Sequence, residues 1–178
     1  GQEFIRAVDQ CQIRPDTMNR VRNMVFERPG GILRTILRRP FLRGATPYIG
    51  NQWMMVSRRF CEFVCHDRAA DRFKAFYRNT FIADEGFFQT VMKNTDSHGR
   101  MVNDDMRMID WVPDGDIKLR PRTYTMADVE ALKASSCLFA RKFDADVDSD
   151  VLDSLSEWIE RPSVRPVRPY PRPAVLAA

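Results

Sequence analysis

Turn-forming clusters cut this chain into short pieces, and that limits its fold more than any other feature. ERPGG (residues 27–31), the Gly50–Asn51 break, HGRMVNDD (98–105) and VPDGD (112–116) each halt the pattern that precedes them. Between these breaks, helical and extended patterns mingle without the regular alternation of a βαβ protein. The expected class is α/β or α+β, a mixed sheet with flanking helices.

Read in order, the first 28 residues look helical, with Met18, Val21, Met24 and Val25 at helical spacing. A basic, irregular link to about Arg43 follows, then the short extended stretch TPYIGNQWMMVS. Ser57 reads as the N-cap of a helix reaching His66. The next helix, RAADRFKAFYRN, puts Phe73, Phe76 and Tyr77 on one side. Asp84 reads as the cap of EGFFQTVMKN, and HGRMVNDD as a loop. MRMIDW (106–111) alternates as a strand, and IKLRPRTY is extended. Thr125 and Asp128 form a capping box before DVEALKAS. The acidic DADVDSD then opens a last amphipathic helix. Residues 1–160 read as one domain and 161–178, rich in Pro and Arg, as a disordered tail.

At 178 residues, 44% apolar and 29% charged, the chain is long enough for one domain with a core. Its net charge of +4 could attract nucleic acid, anionic lipid or phosphorylated substrates. A solvated basic face is the simpler reading, and no nucleic-acid-binding motif is visible. No run approaches the roughly 18 apolar residues of a membrane span. The chain begins with Gly on what reads as a helix in progress, so it is expected to be a piece of a longer protein, any anchor lying upstream. Cytoplasmic residence or peripheral association with a membrane is expected. Cys11, Cys61, Cys65 and Cys137 lack the spacing of a zinc knuckle with a second ligand pair, even with His66 and His98 counted, and read as buried free thiols.

Several constellations bear on chemistry. Asp146, Asp148, Asp150 and Glu157 match an EF-hand spacing, but Val151 stands where that loop needs Gly, and helix capping is the better reading. Lys142, adjacent to Arg141 within LFARKF, is either a phosphate anchor or a snorkelling, salt-bridged cation. Arg120 and Arg122 supply two guanidinium groups at a loop. Trp111 ends a strand and Trp53 flanks a break, each open to sugar stacking or to packing. Glu85 stands before Phe87 and Phe88, either as a favourable first-turn residue or as a base at the edge of an apolar site.

Four blocks, GNQWMMVSRRFCEFV, TFIADEGFFQTVMKNT, MRMIDW and LFARKFDADVDSDVLDSL, occur in an order that resembles the core-2/I-branching family of glycosyltransferases. That family includes β-1,6-N-acetylglucosaminyltransferases and peptide O-xylosyltransferases, and the phrasing is most similar to its bacterial members. The likeness runs from about Tyr48 to Leu155. It implies a GT-A type fold of which this chain is the C-terminal part, most of the nucleotide-binding half being absent, so that the isolated piece is expected to be inactive. It also implies inverting, metal-independent transfer of an N-acetylglucosamine- or xylose-type sugar from a UDP-sugar to a glycan or protein hydroxyl, with no cofactor. On the matching positions Glu85 falls as general base and Lys142 as a ligand of the donor diphosphate. Arg120 is the first candidate and Arg122 the second for the accompanying arginine. Trp111 falls on an acceptor contact, and Gln52 and Trp53 lie beside the cleft.

A helix start favours an ionised Glu85 while apolar rings oppose it, which suits a base. Two other readings stand beside this one. One is a homologue that binds a glycan or protein without transferring sugar. The other is a basic interaction module acting through the tail.

Overall fold

The first strand, β1 (Gln2–Ile5), stands where the sequence reading places a helix. The computed structural model describes residues 1–13, 15–96, 99–115 and 118–160, so His98 and the Arg-Pro tail lie outside the described residues. β1 is the middle of a three-stranded sheet, antiparallel to β6 (Met54–Met55) and parallel to β7 (Arg100–Val102). Glu3 and Ile5 are fully buried and Phe4 is half-buried. Burial alternates along the strand, but the buried face carries the charged Glu3 and the other face carries Phe4, so the hydropathy pattern that would reveal a strand is lost. The buried Glu3 carboxylate accepts hydrogen bonds from Ser57 N and Oγ, both at 2.5 Å, and from Gly99 N at 3.3 Å. It thereby ties β1 to a helix start and to the approach to β7. β7 itself replaces part of the loop expected at 98–105.

The chain divides into two compact units, Gly1–Met106 and Arg107 onward, within the stretch read as one domain. In the first unit, β2 (Val8–Asp9) pairs with β5 (Tyr48–Ile49). Helix α1 (Pro15–Arg22) ends early, and β3 (Asn23–Arg28) forms an antiparallel hairpin with β4 (Gly31–Arg38). This hairpin replaces both the end of the expected helix and the irregular link. Val25 and Phe26 suit a strand, and Gly30 and Gly31 take the positive φ values, 99° and 136°, that its turn requires.

Ser57 caps α2 (Arg58–His66) as expected, its Oγ accepting from Phe60 N at 3.3 Å. Helix α3 (Asp71–Tyr77) buries Phe73, Phe76 and Tyr77, and α4 spans Phe87–Lys93. These helices close over Ile5, Phe60, Phe73, Val91 and Met92, with Phe63, Val64, Phe87 and Phe88 packed around them. Each buried phenylalanine contributes about 2–3 kcal/mol of apolar burial. Cys61 and Cys65 point away from that core. With Cys11 they are exposed and Cys137 is half-buried, so the expectation of buried thiols is corrected.

The second unit pairs β8 (Arg107–Ile109) with β11 (Phe139–Arg141) in parallel, and β9 (Trp111–Asp114) with β10 (Lys118–Pro121) antiparallel. The single strand read across 106–111 is therefore two, separated at Asp110. The capping box is present at a 3-10 helical turn, Met126–Asp128, leading into α5 (Val129–Ala134). Tyr124, Val129, Leu132 and Val151 form the core, Val151 coming from α6 (Asp150–Glu160). The acidic run ahead of α6 does cap it: Asp148 Oδ1 accepts from Asp150 N at 3.1 Å and Val151 N at 3.3 Å. The architecture is mixed α/β with small mixed sheets. No helix among the described residues is long and apolar enough to cross a membrane.

Candidate active site

Glu85 ends a 3-10 helical turn, Ala83–Glu85, and does not open a helix. The residue before this turn is Ile82, at φ 54°, and α4 starts only after Gly86. Among the described residues Asp84 therefore caps no helix, and Glu85 gains nothing from a helix start. The aromatic neighbours also differ from expectation. Phe87 and Phe88 pack into the core, while the small recess that takes in Glu85 is walled by Tyr77, Phe81, Ile49 and Gln10. It has room for little more than a water-sized group, so it seats the side chain without enclosing a sugar.

Three features fix the segment. Arg20 on α1 holds Glu85 Oε2 at 3.1 Å, both side chains being partly exposed. Among the described residues, Oε1 accepts no hydrogen bond. Gly50 N donates to the Glu85 carbonyl at 2.8 Å. A Cβ on Gly50 would run into the Arg6 carbonyl, and one on Gly86 would press on Tyr48 O and the Tyr77 ring, so both glycines permit close approach. Gln89 Nε2 donates to Asn51 O at 2.7 Å, and Thr90 Oγ1 accepts from Tyr48 N at 2.9 Å. Asn51 in turn bonds to Asp105 and accepts from Trp53 N. The block GNQW is thus stitched to the block ADEGFF, with Gln52 exposed and Trp53 half-buried beside it. Tyr77, whose hydroxyl lies 2.8 Å from Thr90 Oγ1, has its pKa pushed up by burial to about 12 and stays neutral.

The other candidates belong to the second unit and gather along its strand ends. Trp111 opens β9 opposite Pro121, with 55% of its surface exposed. Arg122 N donates to Asp110 O at 2.7 Å, and Lys142 N to Arg122 O at 3.3 Å, which brings these segments side by side. Their side chains are occupied to different extents. Arg122 binds both Asp128 oxygens at 2.8–2.9 Å and Asp110 at 2.8 Å, and its guanidinium lies 5.0 Å from the Tyr124 ring. These bonds push the Arg122 pKa up and hold Asp128 down at about 2, Arg122 being the main cause there with Thr125 N second. Arg120 reaches Asp114 only at 3.8 Å and is more than half exposed. Lys142, half exposed, lies 3.3 Å from Asp144.

The structure thus groups Trp111, Arg120, Arg122 and Lys142 in one unit and Glu85, Gln52 and Trp53 in the other. Sequence reasoning missed Arg20, which lies 65 positions from its partner and carries no local motif. A depression of about 650 Å³, lined by Arg59, Glu62, His66 and Asp96 among others, contains none of the candidate residues. Among the described residues no group of three or more His, Cys, Asp or Glu side chains is arranged to hold a metal ion.

Comparison with known proteins gives these positions a context. Xylosyltransferase oxt of Drosophila melanogaster is 28% identical over 131 residues, 64% of this chain and 15% of that protein. Xylosyltransferase 1 of Rattus norvegicus is 26% identical over 125 residues, and the xylosyltransferase of Ciona intestinalis 26% over 126, again 15% of each protein's length. The chain therefore matches only a small part of these relatives. The model of the Core-2/I-Branching enzyme family matches residues 43–135, more than half of the chain, a span that contains Glu85, Trp111, Arg120 and Arg122. The chain belongs to the Core-2/I-Branching enzyme family.

Proposed function

We propose that this chain is the acceptor-and-base portion of an inverting, metal-independent glycosyltransferase of GT-A type. The donor is a UDP-sugar and the acceptor a hydroxyl of a glycan or protein. The family match across residues 43–135 carries this reading. The relatives' names put xylose first among sugars to assay, with N-acetylglucosamine second.

In this reading the acceptor oxygen bonds to the anomeric carbon as the bond from that carbon to the UDP oxygen breaks. The acceptor proton passes to Glu85, and the electron pair leaves on the diphosphate. Glu85 Oε1 is the oxygen suited to take the proton, since Oε2 is engaged by Arg20. A base so placed contributes about 10²–10⁴-fold. Lys142 and Arg120 are the cations assigned to the departing diphosphate. Arg120 is preferred over Arg122 because its guanidinium is more exposed and less tightly paired. Trp111 offers an exposed ring to the acceptor. Gln52 and Trp53 line the approach to the Glu85 segment. Since the match covers only 15% of each xylosyltransferase's length, assays belong in the full-length polypeptide.

Lys142→Ala tests the donor side. The expected result is a raised KM for UDP-sugar with acceptor KM little changed, and activity insensitive to a chelator. Strong manganese activation together with loss of activity on chelation would contradict the metal-free assignment.

A further inference from the structure

β4 is exposed on both faces. Of its eight residues only Thr35 is half-buried, while Ile32, Leu33, Ile36 and Leu37 are 53%, 39%, 97% and 55% exposed. Among the described residues its outer edge pairs with no other strand, β3 being its one neighbour. An exposed aliphatic edge of this kind is a liability unless something covers it.

The charge around it points to the cover. Between Asn23 and Arg43 the chain has five arginines, Arg28, Arg34, Arg38, Arg39 and Arg43, and one acidic residue, Glu27. That local excess equals the net charge of the entire chain. Arg39 is committed inward, donating to Thr80 Oγ1 at 2.7 Å and lying 3.8 Å from the Phe76 ring centre, with burial lowering its pKa. Arg34 lies over Phe81 at 4.6 Å. Arg28, Arg38 and Arg43 are exposed, and none forms an ion pair with a described residue. The hairpin is anchored as well, by Val25 N to Asn79 O at 3.0 Å and Asn79 Nδ2 to Val25 O at 3.0 Å.

We infer that the β3–β4 hairpin is a docking element for an anionic lipid surface. Its arginines meet the headgroups, and the aliphatic side chains of β4 enter the boundary between headgroup and acyl chain. Aliphatic residues interleaved with arginines that form no ion pair among the described residues suit that interface. A phosphate backbone would be met by the arginines alone and would leave Ile36 in water. The inference is independent of the transfer chemistry.

The experiment is sedimentation of the full-length protein with vesicles of phosphatidylcholine alone and of phosphatidylcholine mixed with phosphatidylglycerol. Binding to the mixed vesicles is expected to be about tenfold tighter or more. Ile36→Asp and Arg38→Glu, both at exposed positions, are each expected to weaken it by about tenfold while the far-ultraviolet circular dichroism stays unchanged. A variant lacking residues 161–178 controls for the basic tail and is expected to retain most of the binding. Equal partition to the two vesicle types overturns the inference, as does binding that disappears with the tail and ignores Ile36→Asp. Self-association abolished by Ile36→Asp, without vesicle binding, also overturns it and assigns the face to a second copy of the chain.

Discussion

The Glu85 segment and the Lys142 segment are held in place by different forces. Around Glu85 the backbone is fixed by packing: glycines that allow contact at Gly50 and Gly86, buried hydroxyl and amide bonds from Thr90 and Gln89, and the Tyr77 ring. Around Lys142 the framework is a partly exposed ion cluster, Arg122 with Asp128 and Asp110, and the candidates Arg120 and Lys142 are loosely paired. Packing holds a backbone segment to one direction, as the proposed base requires. Exposed charges can change partners, as suits side chains proposed to exchange a carboxylate for a phosphate and release it again.

The largest expected effect breaks the packed side. Gly50→Ala drives a methyl into the Arg6 carbonyl and displaces the backbone bond to Glu85, costing about 3 kcal/mol or more. A thermal melt and the soluble yield would report it, and an unchanged melt would remove the case for this contact.

The charged side should fail in acid. Asp128 has a folded pKa of about 2 against 3.8, so its contribution is present above pH 3.8 and is lost as pH falls toward 2. Asp128→Asn should cost about 1 kcal/mol at neutral pH and remove this part of the acid sensitivity. Denaturant titrations of both proteins between pH 2 and 6 measure it.

An effect of similar size sits at the alkaline end. Tyr77 has a folded pKa of about 12 against 10, so the folded state holds the phenolic proton more tightly. Its contribution is complete below pH 10 and is lost as pH rises toward 12. Tyr77→Phe should cost about 1 kcal/mol at neutral pH through the Thr90 bond. It should also flatten the alkaline loss, as followed by circular dichroism.

The same contrast explains what the sequence disclosed. Ser57 and the Thr125–Asp128 box were legible because a cap is made by residues three positions apart. Phe73, Phe76 and Tyr77 were legible because one helix face buries them. β1 and β7 were not, since each is defined by a partner far along the chain and the hydropathy of β1 does not follow its burial. The β3–β4 hairpin hid behind a helical spacing that continues past Arg22. Glu85 was singled out by its motif, yet its actual surroundings, Arg20 and the Tyr77–Phe81 recess, are tertiary and left no local trace.

The central claim is that Glu85 removes the acceptor proton. The most direct measurement compares Glu85→Gln with the unchanged full-length protein in two assays, sugar transfer from UDP-xylose and calorimetric binding of UDP. The account predicts transfer reduced by about 10²-fold or more with UDP affinity unaltered. Turnover that survives the substitution, or a loss explained by weakened UDP binding, would contradict it.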